Sequence, residues 1–427
     1  MSEPVYIVDG SRTPFLKARN RPGPFAASDL ATDAGRALLV RQPFAPEDLD
    51  EVILGCAAPS ADEVNIGRVA ALRMGCGLKV PGWTVMRNCA SGMQSIDSAV
   101  NNIRAGRADL VLAGGVDALS RAPLLFSDAM VAWLSQWYAA KTAGQRAALL
   151  AKMRPGHFAP VIALMKGLTD PICGLLMGQT AENLAHRFGI TRQEMDAYAA
   201  RSHARVIAAQ KAGHYANEVV PIFDRAGRLY AADDGVREDS TPENLAKLKP
   251  FFDRKYGNVT AGNSSQVTDG GAWVVVASQR AVDRHRLAPI GRILDSQWAG
   301  LDPAQMGLGP VYAATPILRR HGLGLNDLDV WEINEAFAAQ VIACERAWAS
   351  DEFCRGELGL PGALGAIDEG KLNVDGGGIA LGHPVGASGT RIVLHVLNVL
   401  RRTGGRRGMA AICIGGGLGG AMLVERV

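Results

Sequence analysis

A chain of 427 residues exceeds one ordinary hydrophobic core, so two packed domains or one large duplicated domain is expected. Hydrophobic residues at 48%, charged residues at 20% and a net charge of +3 describe a globular protein and exclude a nucleic-acid-binding surface or an acidic tail. Seven cysteines, an odd number over a long chain, predict free thiols in a reducing cytoplasm rather than a disulfide framework. No secretory pattern precedes Val5-Tyr6-Ile7-Val8, Val424-Glu425-Arg426-Val427 is not a peroxisomal address, and no run reaches the roughly 18 apolar residues of a spanning helix.

In chain order, short apolar strands alternate with helices and Gly-rich turns, an α/β pattern that shows first at Val5-Tyr6-Ile7-Val8 and Glu51-Val52-Ile53-Leu54-Gly55. The clearest unit starts with a strand at Trp83-Thr84-Val85-Met86 and turns at Asn88-Cys89-Ala90-Ser91-Gly92. It continues as a helix whose Met93, Ile96, Val100 and Ile103 share one face, and as a strand at Leu110–Gly115. Residues 120–255 read as an insertion of long helices and loops. Within it, Phe126 to Met177 carries Trp133, Trp137, Leu149, Leu150, Phe158, Ile162, Leu164, Met165, Leu168 and Leu175 among basic residues. A buried helical cap is the expectation, and a surface for a long acyl chain, a partner subunit or a membrane is the alternative. A second unit of the same plan closes the chain: Asn373-Val374-Asp375, a turn at Gly382-His383-Pro384, a helix through Ile392, Val396 and Val399, and a strand at Ala410–Ile414 before Gly415-Gly416-Gly417. Two matching units suggest a duplicated fold whose corresponding turns face one another.

Such a juxtaposition would bring Cys89, His383 and Cys413 into one pocket. A helix amino terminus stabilises a thiolate, which makes Cys89 a candidate nucleophile rather than a small core residue. Asn334 follows the strand Val330–Ile333, where it either orients a water or a backbone group or caps a helix.

Over essentially its whole length the chain resembles a thiolase. Asn88-Cys89-Ala90-Ser91-Gly92-Met93 resembles the family's nucleophile motif; Asn334-Glu335-Ala336-Phe337-Ala338, Gly382–Gly389 and Cys413–Gly419 resemble its other catalytic segments. The resemblance implies two pseudo-symmetric α/β halves in a five-layered αβαβα arrangement. Residues 1–120 and 256–280 would form the first half, 121–255 a loop and cap insertion, and 281–427 the second half. It implies Cys89 as nucleophile, His383 as its base, and Cys413 as the acid/base at the α-carbon. One oxyanion hole would use the N–H groups of Cys89 and Gly415, the other His383 with a water held by Asn334. Ser265, Met177, Met306 and Phe337 would contact substrate or coenzyme A, which is a substrate rather than a bound cofactor; no metal is implied.

Leu176, where short-chain biosynthetic members tend to carry His, together with the apolar stretch before it, is similar to thiolase subunits of fatty-acid β-oxidation complexes. So are Phe252–Gly257 and Phe15-Leu16-Lys17. Asn334, where many of those subunits carry His, departs from them. The resemblance therefore implies a medium- or long-chain 3-ketoacyl-CoA thiolase, a homodimer or homotetramer, and a hydratase/dehydrogenase subunit as a further partner. A biosynthetic acetoacetyl-CoA thiolase, a β-ketoacyl synthase and a noncatalytic lipid-binding subunit are the alternatives.

Overall fold

The computed structural model describes residues 3–427. Strands β1 (Val5–Arg12), β2 (Glu51–Gly55), β3 (Gly82–Val85), β4 (Leu110–Ala118) and β5 (Thr268–Ser278) belong to one half. Strands β6 (Gly291–Gly300), β7 (Val330–Ile333), β8 (Arg407–Ile414) and β9 (Leu418–Glu425) belong to the other. The first half runs β3-β2-β4-β5-β1 and the second β7-β8-β9-β6, the two being joined edge to edge where β1 pairs with β6. Trp331 on β7 also makes a parallel bridge to Leu372, just as β2 pairs parallel with β3. Each half thus repeats one strand order, as the matching sequence units predict. β5 is buried at every position, which explains its Val-rich run: covered on both faces, it has no reason to alternate.

The helices that bear on the site are α1 (Ser91–Arg104) between β3 and β4; α2 (Asp128–Ala139) and α3 (Ala143–Ala151) in the long β4–β5 connection, with α4 (Met177–Arg187) and α5 (Arg192–Lys211) later in it; and α6 (Val385–Thr403). Apolar clusters define the layers. Ile96 and Val100 of α1 and Ile392, Val396 and Val399 of α6 share one cluster with strands of both halves. A second cluster lies outside the first sheet, under helices Ala27–Leu39 and Ile66–Met74. A third lies outside the second sheet, with α4, α5 and the helix Ala338–Ala349. Helices, sheet, central helices, sheet and helices make five layers, the arrangement that the resemblance implies.

In the central layer α1 and α6 cross at glycines. A Cβ on Gly92 would stand 2.4 Å from Thr390 Oγ1 and 2.7 Å from Gly386 O, and one on Gly389 would stand 2.5 Å from Met93 N. Only bare backbones fit so closely. The crossing sets the turn before α1 against the turn before α6, which puts Cys89 and His383 on one side of the molecule.

The β4–β5 connection splits into two parts. Its later helices α4 and α5 bury Ala181, Leu184, Met195, Tyr198 and Ala199 in the second-half core. The α2–α3 hairpin instead projects outward, and the expectation of a buried cap fails there: Phe126 is 62% exposed, Tyr138 83% and Phe158 61%. The hairpin holds itself together, with Trp133 stacked on Trp137 at 5.3 Å and the Trp133 indole N–H donating to Leu149 O. Its aromatic residues therefore satisfy one another rather than a core. Among the described residues no helix is long and apolar enough to cross a membrane, and all seven cysteines are free thiols.

Candidate active site

The Cys89 turn is built by local hydrogen bonds. Asn88 adopts a left-handed backbone with φ of 43°, a conformation that asparagine tolerates better than most residues. Ser91 Oγ accepts the Arg87 N–H and donates to Asn88 O. From the far end of the chain, Gly415 O accepts the Asn88 side-chain amide at 2.8 Å. Cys89 is partly open, and the amides of Gly415 and Cys89 face its sulfur. They favour the thiolate, but burial outweighs them and raises the thiol above its usual 9.0. The residue therefore rests as a thiol, and its proton must leave before the sulfur can attack.

His383 is held in one defined form. Its backbone N–H donates to Thr268 Oγ1, and its Nδ1 lies 2.6 Å from Ser388 Oγ. The Ser388 hydroxyl donates to Pro384 O, so its lone pair takes the proton of Nδ1. That fixes the tautomer and leaves a lone pair on Nε2, which has no protein partner. Burial, then the Arg391 charge, pushes His383 down to about 4, so the ring is neutral near pH 7.

Cys413, at the end of β8, is buried, and its thiol is held well above the usual value first by burial and then by Cys89. Asn334 is 0% exposed. Its backbone N–H donates to Ala411 O on the same strand β8, and its side-chain amide makes no hydrogen bond to protein, so both amide atoms remain available to a substrate-side partner. The neighbouring Glu335 anchors this loop by accepting from Tyr198, Ser202, Asn373 and the Ile379 N–H.

A cavity of about 490 Å³ opens beside Cys89, and Met177 and Gly415 also line it. Ser265 and Phe337 lie together elsewhere: the Ser265 N–H donates to Ala336 O, Ser264 bridges Phe337, and Phe337 packs edge-on to Phe252. Met306 is buried in the second-half core and lies outside the Cys89 cavity. Sequence reasoning gave no role to Ser388 or Glu335. The signals were a hydroxyl five residues after His383, and an acidic residue directly after Asn334. Among the described residues no group of three or more His, Cys, Asp or Glu side chains is placed to hold a metal ion.

A thiol faced by two amides, with a neutral imidazole across the helix crossing, suits passage of an acyl group from one thioester to another, and the class is that of acyltransferases acting on coenzyme A thioesters. Comparison with known proteins carries this to a family. Residues 5–280 match the thiolase N-terminal domain and residues 287–426 the thiolase C-terminal domain, so the chain belongs to the thiolase family, whose chemistry is CoA-dependent thiolysis and its reverse. It is 38% identical over 426 residues to a 3-ketoacyl-CoA thiolase of Yersinia enterocolitica, covering 99% of this chain and 96% of that one. It is 41% identical over 433 residues to a β-ketoadipyl-CoA thiolase of Pseudomonas aeruginosa, covering 100% of both. The structure of human mitochondrial 3-ketoacyl-CoA thiolase in complex with CoA superposes with a TM-score of 0.86 at 36% identity, covering 100% of this chain and 98% of that one.

Proposed function

We propose that the enzyme cleaves medium- or long-chain 3-ketoacyl-CoA in fatty-acid β-oxidation through an acyl-Cys89 intermediate. His383 Nε2 takes the Cys89 proton, and the thiolate attacks the 3-keto carbon, its oxyanion received by the amides of Cys89 and Gly415. The bond between C2 and C3 breaks. Its electron pair forms the acetyl-CoA enolate, whose oxygen is held by protonated His383 and a water on Asn334, and Cys413 protonates the α-carbon. The Cys413 thiolate then takes the proton of incoming CoA, whose sulfur attacks acyl-Cys89, and His383 returns its proton to Cys89.

The observation that carries this reading is the fixed tautomer of His383, with a free Nε2 and a neutral ring, while Cys89 rests protonated. The open apolar cavity next to Cys89 supports a long acyl chain. Family likeness supports a dimer or tetramer, and the exposed apolar face of the α2–α3 hairpin supports contact with a hydratase/dehydrogenase subunit. Seven free thiols support a reducing compartment such as the cytoplasm. The test is intact-mass analysis after mixing with 3-ketooctanoyl-CoA and no free CoA: wild type gains one octanoyl-minus-two-carbon acyl group on Cys89, and Cys89→Ala gains none. Acylation of Cys89→Ala, or its normal turnover, would remove the assignment.

A further inference from the structure

Whole-chain identity does not separate two kinds of relative, since it is 38% to a 3-ketoacyl-CoA thiolase and 41% to a β-ketoadipyl-CoA thiolase. Their substrates differ at the far end of the acyl tail, which is hydrocarbon in one and carboxylate in the other. The cavity that receives the tail beside Cys89 is the part of the molecule that must tell them apart.

Ala58, Leu119, Pro123, Leu164, Leu168 and Pro171 form much of its wall. No Lys, Arg or His lines it, and Asp170 is its one charged side chain. Asp170 is 2% exposed. Its Oδ1 accepts the N–H groups of Ile172 at 2.8 Å and Cys173 at 3.1 Å. Its backbone belongs to a tight loop closed by the Thr169–Leu176 bridge and by the Asp170 N–H donating to Leu175 O. The charge is therefore fixed in place. Burial opposes the ionised form, but the amides of Cys173, Ile172 and Gly416 outweigh it and hold the carboxyl below the usual range, so it is an anion near neutral pH.

A carboxylate entering this pocket would lose its water, find no cation and meet a like charge across low-dielectric walls. A hydrocarbon tail loses nothing there and gains apolar contact. We propose that Asp170 is a specificity-determining residue, the fixed anion of an apolar acyl pocket that admits 3-ketoacyl-CoA with hydrocarbon tails and rejects those whose tail ends in a carboxylate. The proposal rests on the thiolase reading above and narrows its substrate class.

The experiment compares kcat/KM for 3-ketooctanoyl-CoA and 3-ketoadipyl-CoA in wild type, Asp170→Asn and Leu164→Lys. Asparagine keeps the oxygen that caps the loop and removes the charge. Wild type should favour the octanoyl substrate by roughly a hundredfold, since a site with no partner for a charged group discriminates strongly. Asp170→Asn should narrow that ratio about tenfold through a gain on 3-ketoadipyl-CoA. Leu164→Lys, which supplies the missing cation, should narrow it too, and it keeps the proposal testable if Asp170→Asn fails to fold. A wild-type ratio near one, or an Asp170→Asn variant that loses activity on both substrates in proportion, would overturn the proposal. Thiolysis of neither substrate by wild type would overturn the thiolase reading instead, and the proposal with it.

Discussion

The turns before α1 and α6 come from matching units, yet burial acts on their two key side chains in opposite directions. It raises Cys89 and lowers His383, so both rest uncharged. The difference between them lies in their partners. Cys89 is partly open and faced by backbone amides, the donors that a developing oxyanion needs. His383 is enclosed and hydrogen-bonded through Nδ1 to Ser388, which presents Nε2 as a base. A repeated backbone frame thus supports two complementary roles, and it does so without a standing ion pair that would be costly to bury.

The largest expected effect tests what separates the turns. Ser388→Ala removes the acceptor that holds the Nδ1 proton, so the ring can place its proton on Nε2 and cease to be a base toward Cys89. Steady-state thiolysis should show kcat falling on the order of a hundredfold, with KM for CoA changing little, and Ser388→Thr should restore part of the loss. A kcat close to wild type would show that Ser388 is only a helix residue.

A smaller effect tests what the turns share. If burial controls Cys89, its thiolate fraction rises about tenfold per pH unit with no plateau below pH 9. Alkylation of Cys89 by iodoacetamide should therefore climb with unit slope from pH 6.5 to 8.5. The sign follows from a thiol raised above its usual value, and levelling near pH 7 would mean that the amides win instead.

The helix of the first unit was legible because burial of one face is a local property: Met93, Ile96, Val100 and Ile103 recur at helical spacing and are all buried. The pairing of the units was legible as repeated order, and the glycines at 92 and 389 that let them cross stood within the motifs. The resting protonation of Cys89 was not legible, because burial in the folded chain sets it, against the amides of Gly415 from the other half and of Cys89 itself. Nothing in the sequence around Asp170 singles it out; its place in the cavity wall does. The hairpin was misread for a related reason. Apolar spacing identifies a helix but cannot say whether its apolar side meets a core or remains outside, and Trp133 with Trp137 reads the same in either setting.

That hairpin gives the smallest expected effect, and it sharpens the contrast between the site and its surroundings. Leu124 and Leu125 pair antiparallel with Ile162 and Val161, so the whole projection hangs from a two-residue ladder. The cavity wall ends at Pro123 on one side of that ladder and resumes at Ala163 on the other. Replacing residues 126–160 by Asn-Gly would close the ladder with a tight turn and leave every wall residue in the chain. Thiolysis of 3-ketooctanoyl-CoA should then change by less than about threefold, a barrier difference well under that of any catalytic group. Loss of the exposed apolar face should at the same time weaken co-purification with a hydratase/dehydrogenase subunit. A large fall in kcat/KM would show that the projection, although exposed on its own chain, helps to shape the acyl pocket from outside.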